Sequence, residues 1–563
     1  MEEKQLVVQA LEPVLKDHLS TEKISDLIET PSNSDHGDLA FPVFQLAKVF
    51  RKAPNLIAED LVNQIDNKNF DKIEAVGPYI NFFLNREKLS GQVISQVLKE
   101  GSDYGSVDLG HGQTVTLDYS SPNIAKPMSM GHLRSTVIGH SIDLLHQKVN
   151  YKTVSINHLG DWGTQFGKLI VAYKKWGDEA TVRKDPVNEL VKLYVEFHEK
   201  AEDDPSLEDE GRAAFKALED GDPETVEYWK WFKEESIKDF QIVYDKLGIK
   251  FDHNTGESFY NDKMEDKLDI LADKGVSTVE NGATLVYLEE EDLPPALVKR
   301  TDGATLYITR DIATAYYRKE TYDFVKSLYI VGNEQANHFK QLKAILKRMG
   351  NDWSDDMVHI AFGLITLEGK KLSTRKGKIV LLEEVLNEAV ELAQEQIDAK
   401  NPDLVDKEEV AKQVGIGAVV FHDLKSDRMN SFDFKLSDVV QFEGETGPYV
   451  QYTYARAKSL LEKYGKAVEP DSHLSLTDDY AWQVIKKLQA YSDTIVQAVD
   501  KYEPSVIARY VIQLAQAFNK YYGNVRLLNE DEELPARMAL VEATSIVLKD
   551  GLKLLGVQAP ENM

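Results

Sequence analysis

Two stretches of this chain carry residues suited to phosphate chemistry. The first is Ser121-Pro122-Asn123-Ile124-Ala125-Lys126-Pro127-Met128-Ser129-Met130-Gly131-His132, which joins a neutral donor, a cation, a glycine and an imidazole. At the start of a helix such a loop offers phosphate unpaired N–H groups and the positive end of the helix dipole. Gly131 leaves room for a nucleotide near the main chain, and His132 can donate to phosphate oxygens whose charge grows in a transition state. A bare Gly-His pair also suits a turn with a surface histidine. The second stretch runs from Gly369 to Lys378 and holds five cations, Lys370, Lys371, Arg375, Lys376 and Lys378. In a chain of net charge -28 this local inversion suits closure over a triphosphate, although most basic loops are only solvated surface.

The elements around these residues must position them. Thr114 to Tyr119 alternates Val115, Leu117 and Tyr119 with polar neighbours, as a half-buried strand does. Ile138, Ile142, Leu145 and Val149 recur at helical spacing, with Gly131 turning the chain into that helix, and Thr153 to Asn157 reads as another strand. A strand–loop–helix–strand unit defaults to a right-handed crossover in a parallel sheet. Asn157 to Gly167, dense in glycine and polar groups, follows a strand end where open α/β sheets hold ligands; the alternative is a loop around a buried Trp162. Later the sheet resumes with strand-like Ala304–Asp311, Ser327–Val331 running into Asn333-Glu334-Gln335, and Met357–Ile365. A helix carrying Phe339, Leu342, Ile345 and Leu346 lies between the last two.

Outside this region, residues 1 to about 100 read as a small α+β unit, with a turn-rich loop Asp35–Pro42 and a strand Val76–Leu84. The aromatics of that strand either stack on bases or form core. Residues from about 175 to 250 form an acidic helical insertion, with Trp229, Phe232, Ser236, Phe240, Val243 and Leu247 on one face. The end of the chain is helical, with stripes at Ile485, Leu488, Ile495, Val499 and at Ile507, Tyr510, Leu514, Phe518, Tyr521. There is no internal repeat or low-complexity tract.

At 563 residues, 42% of them hydrophobic, the chain is sized for several domains with substantial cores. It has no cysteine, which excludes disulfides, thiolate-held zinc and a cysteine nucleophile. The acidic, amphipathic start is unlike a signal peptide and no apolar run reaches eighteen residues, so a soluble cytoplasmic protein without a membrane partner is expected.

Taken together, the separated motifs resemble the arginyl-tRNA synthetases of class I. Ser129-Met130-Gly131-His132 stands in the four places of the HIGH signature of that class. Lys371-Leu372-Ser373-Thr374-Arg375 resembles its KMSKS-like signature. Ser121–Lys126, Gly160–Gly167, Leu306–Asp311 and Glu445–Tyr452 are similar to stretches of the arginine-specific family. The resemblance spans nearly the whole chain, and it is the combination that is specific.

The resemblance implies an α/β fold: a Rossmann-like parallel-sheet catalytic domain (101–380), a small N-terminal α+β domain touching tRNA (1–100), a helical connective region (381–440) and a C-terminal α-helical bundle reading the anticodon (441–563). It implies attachment of arginine to its tRNA through an arginyl-adenylate, with ATP as substrate and Mg²⁺ on the nucleotide, no protein-bound structural metal, and a monomer. His132, Ser129, Lys371 and Arg375 would be catalytic. Pro122, Ala125, Lys126, Gly131, His132, His359, Phe362, Gly363, Leu372 and Ser373 would meet ATP. Asn123, Glu257, Tyr307, Asp311, Gln335 and His158 would hold arginine. Asn81, Phe82, Tyr449, Gln451, Tyr452 and Arg456 would touch tRNA. A planar cation with five donors matches carboxylates and a phenol oxygen.

Two departures stand out. Ser129 replaces the first histidine of the usual signature, and Thr374 stands where the class has lysine, with Arg375 and Lys376 close behind. A related nucleotidyltransferase would share the first signature but form its adenylate without RNA. A non-catalytic tRNA-binding descendant would not charge tRNA at all.

Overall fold

The computed structural model describes residues 2–367, 370–371, 379–471 and 473–563, with only the main chain of Glu2, Lys370 and Lys371. Leu372, Ser373, Thr374 and Arg375 therefore lie outside the described residues, as does the side chain of Lys371. The chain divides into two compact units, one of residues 1–105, 456–494 and 513–550, the other of 106–455, 495–512 and 551–563.

The larger unit is built on a four-stranded parallel sheet whose order is Met357–Ile360, Lys326–Ile330, Thr114–Asp118, Lys152–Ile156. The order reverses direction on either side of the Thr114–Asp118 strand, so a crevice opens beyond the carboxyl ends of that strand and Lys326–Ile330. Thr114–Asp118 is buried on both faces rather than one: Val115 and Leu117 are 0% exposed and Thr116 is 1%. Its polar alternation reflects partners within the sheet, such as Thr116 Oγ1 donating to Ser327 Oγ at 2.9 Å, and not solvent. The Leu133–Lys148 helix follows the expected spacing, with Ile138, Ile142 and Leu145 buried. At Gly139 the helix comes so close to the strand that a Cβ would lie 2.2 Å from Tyr119 Cγ.

One expected strand is a helix. Residues 304–311 alternate apolar and polar residues, but Ile308 continues to Ile312 and Ala315 at helical spacing, and all three are buried on the face of the Tyr307–Tyr322 helix. Short alternation is ambiguous until the next two turns are counted. This helix and Ala336–Arg348 share an apolar core with Phe339, Leu342, Ile345 and Leu346. Likewise Met357–Ile365 is two strands, Met357–Ile360 and Ile365–Leu367, the latter paired with Lys370–Lys371 and with Phe432–Asp433.

The insertion consists of helices Glu179–Lys184, Pro186–Asp203, Ser206–Glu219 and Pro223–Leu247. In the smaller unit a three-stranded antiparallel sheet is ordered Leu39–Pro42, Tyr79–Leu84, Phe70–Val76. Its turn-rich loop serves packing. Asp38 accepts the Leu84 N–H at 2.9 Å and the Trp482 Nε1–H at 2.9 Å, joining the sheet to the Asp479–Gln489 helix.

Candidate active site

The loop between Asp118 and the Leu133–Lys148 helix turns without the help of glycine. Ser120, Ser121 and Ala125 take positive φ (71°, 49° and 58°), whereas Gly131 does not. Left-handed geometry costs roughly 1–2 kcal/mol for each non-glycine residue, so the surroundings must hold this loop in place. They do so through named bonds. Ser120 N donates to Ser135 Oγ at 2.9 Å, and Ser135 Oγ donates to Ile330 O at 2.8 Å, spanning the crevice between the two central strands. Ser121 N donates to Asn157 Oδ1 at 3.0 Å, and Gly160 N to Pro122 O at 3.0 Å. Gly131 is exposed and its would-be Cβ meets nothing nearer than Ser129 Oγ at 3.3 Å, so the glycine leaves open space there rather than making the turn.

His132 has a defined tautomer. Ser129 N donates to its Nδ1 at 3.1 Å, with Ser129 Oγ at 3.2 Å, so Nδ1 accepts and Nε2 carries the proton. Burial, and to a lesser degree Lys126, holds the imidazole below its ordinary pKa. A neutral ring with a free Nε2–H is a hydrogen-bond donor and not a cation. Asn123 and Lys126 are exposed beside it, while Pro122 and Ala125 are buried and form the wall of the loop. The same loop also touches residues 380–382. Ser129 bridges to Leu381, Met130 N donates to Val380 O at 2.9 Å, and Leu382 N to Met128 O at 3.0 Å.

The insertion's last helix supports the loop from behind. Ser236 Oγ, 0% exposed, accepts the Ala125 N–H at 2.8 Å, and the Tyr244 hydroxyl lies 2.7 Å from Ser120 Oγ. Trp229 Nε1 donates to Asp161 O at 2.8 Å, and Lys233 Nζ pairs with the buried Asp161 carboxylate at 2.8 Å. Asp161 also receives Ser258 N and Ser258 Oγ, each at 2.7 Å.

From the first loop the contacts run outward without a gap. Asn123 bridges to Gly160, where a Cβ would fall 1.8 Å from Asn123 Oδ1. Glu257 N donates to Leu159 O at 3.0 Å, and Arg310 Nη1 donates to Glu257 O and to Asn261 Oδ1. Asp311 is next in sequence, on the second turn of the Tyr307–Tyr322 helix. Glu257 is pushed up to about 7 by burial, with Asp161 and Asp311 adding to this and Arg310 opposing it. Asp161 and Asp311 both push the Glu257 carboxyl upward, so a cation arriving beside it would relieve that repulsion. Tyr307 is 71% exposed, Gln335 is exposed, and His158 has a buried Nδ1 with no partner.

On the other side, His359 Nε2 donates to Val331 O (2.9 Å) and its ring stacks on Phe339 at 4.6 Å, while Asn333 N donates to Phe362 O at 3.3 Å. Gly363 is required by packing, because a Cβ would lie 2.6 Å from Met429 O. Arg134, 2% exposed, donates from Nη1 to Gly363 O at 3.0 Å and Asn430 O at 2.8 Å, and lies 3.4 Å from Asp423. Sequence reasoning missed it; a charge on an otherwise apolar helix face between Leu133 and Val137 was the available signal. It also missed His338, three residues beyond Gln335.

The expected tRNA contacts divide. Asn81 (2%) and Phe82 (0%) are buried, because the strand turns Phe82 onto the core, so neither side chain presents a surface to RNA. Gln451 is 0% exposed and its Nε2 donates to Gln413 O at 3.1 Å and Gln558 O at 2.7 Å; it is a packing residue. Tyr452 is 38% exposed, Tyr449 is half-buried, and Arg456 donates to Asn519 Oδ1 at 2.7 Å. Among the described residues no group of three or more His, Asp or Glu side chains could hold a metal ion, and no helix is long and apolar enough to cross a membrane.

A parallel sheet with the polar Ser121–His132 loop at its switch point is the frame of a Rossmann-like catalytic domain. Residues 93–436 match the family model described as tRNA synthetases class I (R), catalytic domain; 450–563 match a DALR anticodon binding domain, and 2–84 an arginyl tRNA synthetase N terminal domain. The chain is 60% identical to the arginine–tRNA ligase of Enterococcus faecalis and 59% identical to that of Ligilactobacillus salivarius, in each case over 100% of both chains. The arginyl-tRNA synthetase structure from Thermus thermophilus covers 100% of both chains with a TM-score of 0.80 at 24% identity, which speaks to the fold. This chain belongs to the arginine–tRNA ligase family.

Proposed function

We infer that the protein attaches L-arginine to arginine tRNA at the expense of ATP. The observation that carries this is the 60% identity to an arginine–tRNA ligase along the entire length of both chains. The arginine carboxylate attacks the α-phosphorus of ATP, forming arginyl-adenylate and releasing pyrophosphate. A hydroxyl of the tRNA 3′-terminal ribose then attacks the activated carbonyl and AMP leaves. Mg²⁺ enters with the nucleotide.

Such phosphoryl chemistry rests on positioning and charge stabilisation. In this reading the His132 Nε2–H and Lys126 hold phosphate oxygens above the space beside Gly131. His359, Phe362 and Gly363 border the nucleotide, with Pro122 and Ala125 as the wall. Lys371 and Arg375 neutralise the leaving pyrophosphate, and Leu372 and Ser373 meet ATP. Asn123 and Gln335 meet the amino acid's own backbone groups, His158 lies alongside, and Tyr307, Asp311 and Glu257 receive the guanidinium. A site built on such bonds rejects an amino acid lacking them by factors on the order of 10⁴.

The family resemblance supports tRNA contact by residues 1–100 and anticodon reading by the C-terminal helices, with Tyr449, Tyr452 and Arg456 as the remaining candidates. It equally supports a cytoplasmic monomer. Charging of total tRNA with each of twenty labelled amino acids tests the reading. Arginine alone should be incorporated, and no charging with arginine would sink it. Pyrophosphate exchange that depends on tRNA separates this reading from a nucleotidyltransferase.

A further inference from the structure

Asp311 has two carboxylate oxygens in different situations. Oδ2 lies 2.5 Å from His338 Nε2, with both side chains about a quarter exposed (26% and 24%). Oδ1 accepts no hydrogen bond among the described residues, and it is not sealed from solvent. Both partners stand on rigid elements. The neighbours in sequence, Ile312 and Phe339, are buried in the core shared by helices Tyr307–Tyr322 and Ala336–Arg348. The adjacent cation Arg310 is turned away to Glu257 O and Asn261 Oδ1, so it does not occupy the open oxygen.

We propose that His338 is a positioning residue of the arginine pocket: it fixes Asp311 with Oδ1 presented to the substrate guanidinium, and it lets protons compete with arginine for that carboxylate. This rests on the reading of Asp311 as the guanidinium's partner. A neutral imidazole donating from Nε2 orients Asp311 and leaves its charge intact. An imidazolium keeps the hydrogen bond but cancels much of the charge that attracts arginine. The hydrogen bond to Asp311 raises the His338 pKa above its ordinary value, and Asp311 is the one charged group acting on the ring. A guanidinium arriving at Oδ1 opposes the imidazolium, so arginine binding expels its proton.

Other charges face Asp311 as well: Arg310 on its own helix, Glu257, and His158 on the loop after the Lys152–Ile156 strand, while Tyr307 and Asp161 act on Arg310. Tyr329 faces it from the Lys326–Ile330 strand. Of these, Glu257 also titrates near neutrality, at about 7, and arginine should displace its proton too. The affinity for arginine therefore falls as pH drops, with one proton belonging to each group.

The test is the KM for arginine in tRNA charging, measured from about pH 6 to pH 8 on the full-length protein. In the wild type, log KM should rise as pH falls with a slope exceeding one proton. H338Q, whose amide donates at the Nε2 position without titrating, should lower that slope by about one proton and keep the high-pH KM within about threefold. H338A, which loses both the orienting donor and the titrating ring, should raise KM for arginine about tenfold at pH 8 and show the lowered slope of H338Q, while KM for ATP moves less than about twofold. A flat wild-type profile overturns the proposal, as does an H338Q slope equal to that of the wild type or an H338A KM equal to it. If the wild type charges no arginine, it is the functional reading that has failed.

Discussion

At His132 one main-chain N–H decides the chemistry. Because Ser129 N occupies Nδ1 at 3.1 Å, the proton is left on Nε2, and burial keeps the ring neutral. The serine that replaces a signature histidine thus supports His132 through its backbone, with the hydroxyl at 3.2 Å as a second contact. Ser129→Ala should cost less than about tenfold in kcat, whereas His132→Ala should cost on the order of 10²–10³, the loss typical of one transition-state donor. Single-turnover charging reads both. Glu257 carries the pH prediction at this scale. Its folded pKa of about 7 lies above the ordinary 4.5, so the empty protein binds an extra proton between those values. Stability is then fullest below the unfolded pKa and declines as pH rises through about 7, by up to roughly 3 kcal/mol. Bound arginine should remove that loss, so the rise in Tm with arginine should be larger at pH 8 than at pH 6, as thermal unfolding would report.

At the scale of elements, the Pro223–Leu247 helix is tied to the catalytic loop. Ser236 holds Ala125, a residue at positive φ, and removing its hydroxyl leaves a buried N–H without a partner. Ser236→Ala should destabilise by about 1–3 kcal/mol and raise KM for ATP several-fold. The Leu133–Lys148 helix depends on contact of another kind: Gly139→Ala drives a methyl group to 2.2 Å from Tyr119 Cγ. That substitution should cost about 1–3 kcal/mol by overpacking, measured in denaturant. Helical spacing around Ile138 and Phe339 was legible because it ran for several turns. The segment Ala304–Asp311 was misread as a strand because its first residues alternate and the repeat that identifies a helix lies beyond them.

At the scale of the molecule, the division of the chain differs from a simple succession of domains. Residues 495–512 and 551–563 cluster with the catalytic sheet. Ser141 Oγ donates to Leu554 O at 2.7 Å, Gln451 holds Gln558 O, and Leu552, Leu554, Leu555 and Val557 are all buried. Each such side chain contributes roughly 1.5–3 kcal/mol, against a typical net stability of about 5–15 kcal/mol. A truncation after Asp550 should therefore leave the catalytic unit unable to fold, with the product lost from the soluble fraction on expression. Removal of the whole C-terminal segment is for the same reason a poor test of anticodon reading, and point substitution of the exposed Tyr452 is the better one.

The sequence by itself determined the chemistry on offer and the class of fold. The Gly-His loop, the basic cluster, the absence of cysteine and the helical and strand spacings are local properties, carried by residue type and short-range order. Only the tertiary structure decided which of these residues meet. It set Asn123 against Gly160, Glu257 beside Asp161 and Asp311, and Asp311 against His338, and it turned Phe82 and Gln451 inward. These facts depend on chain segments far apart in sequence coming to one sheet edge, and no local pattern encodes such a distance.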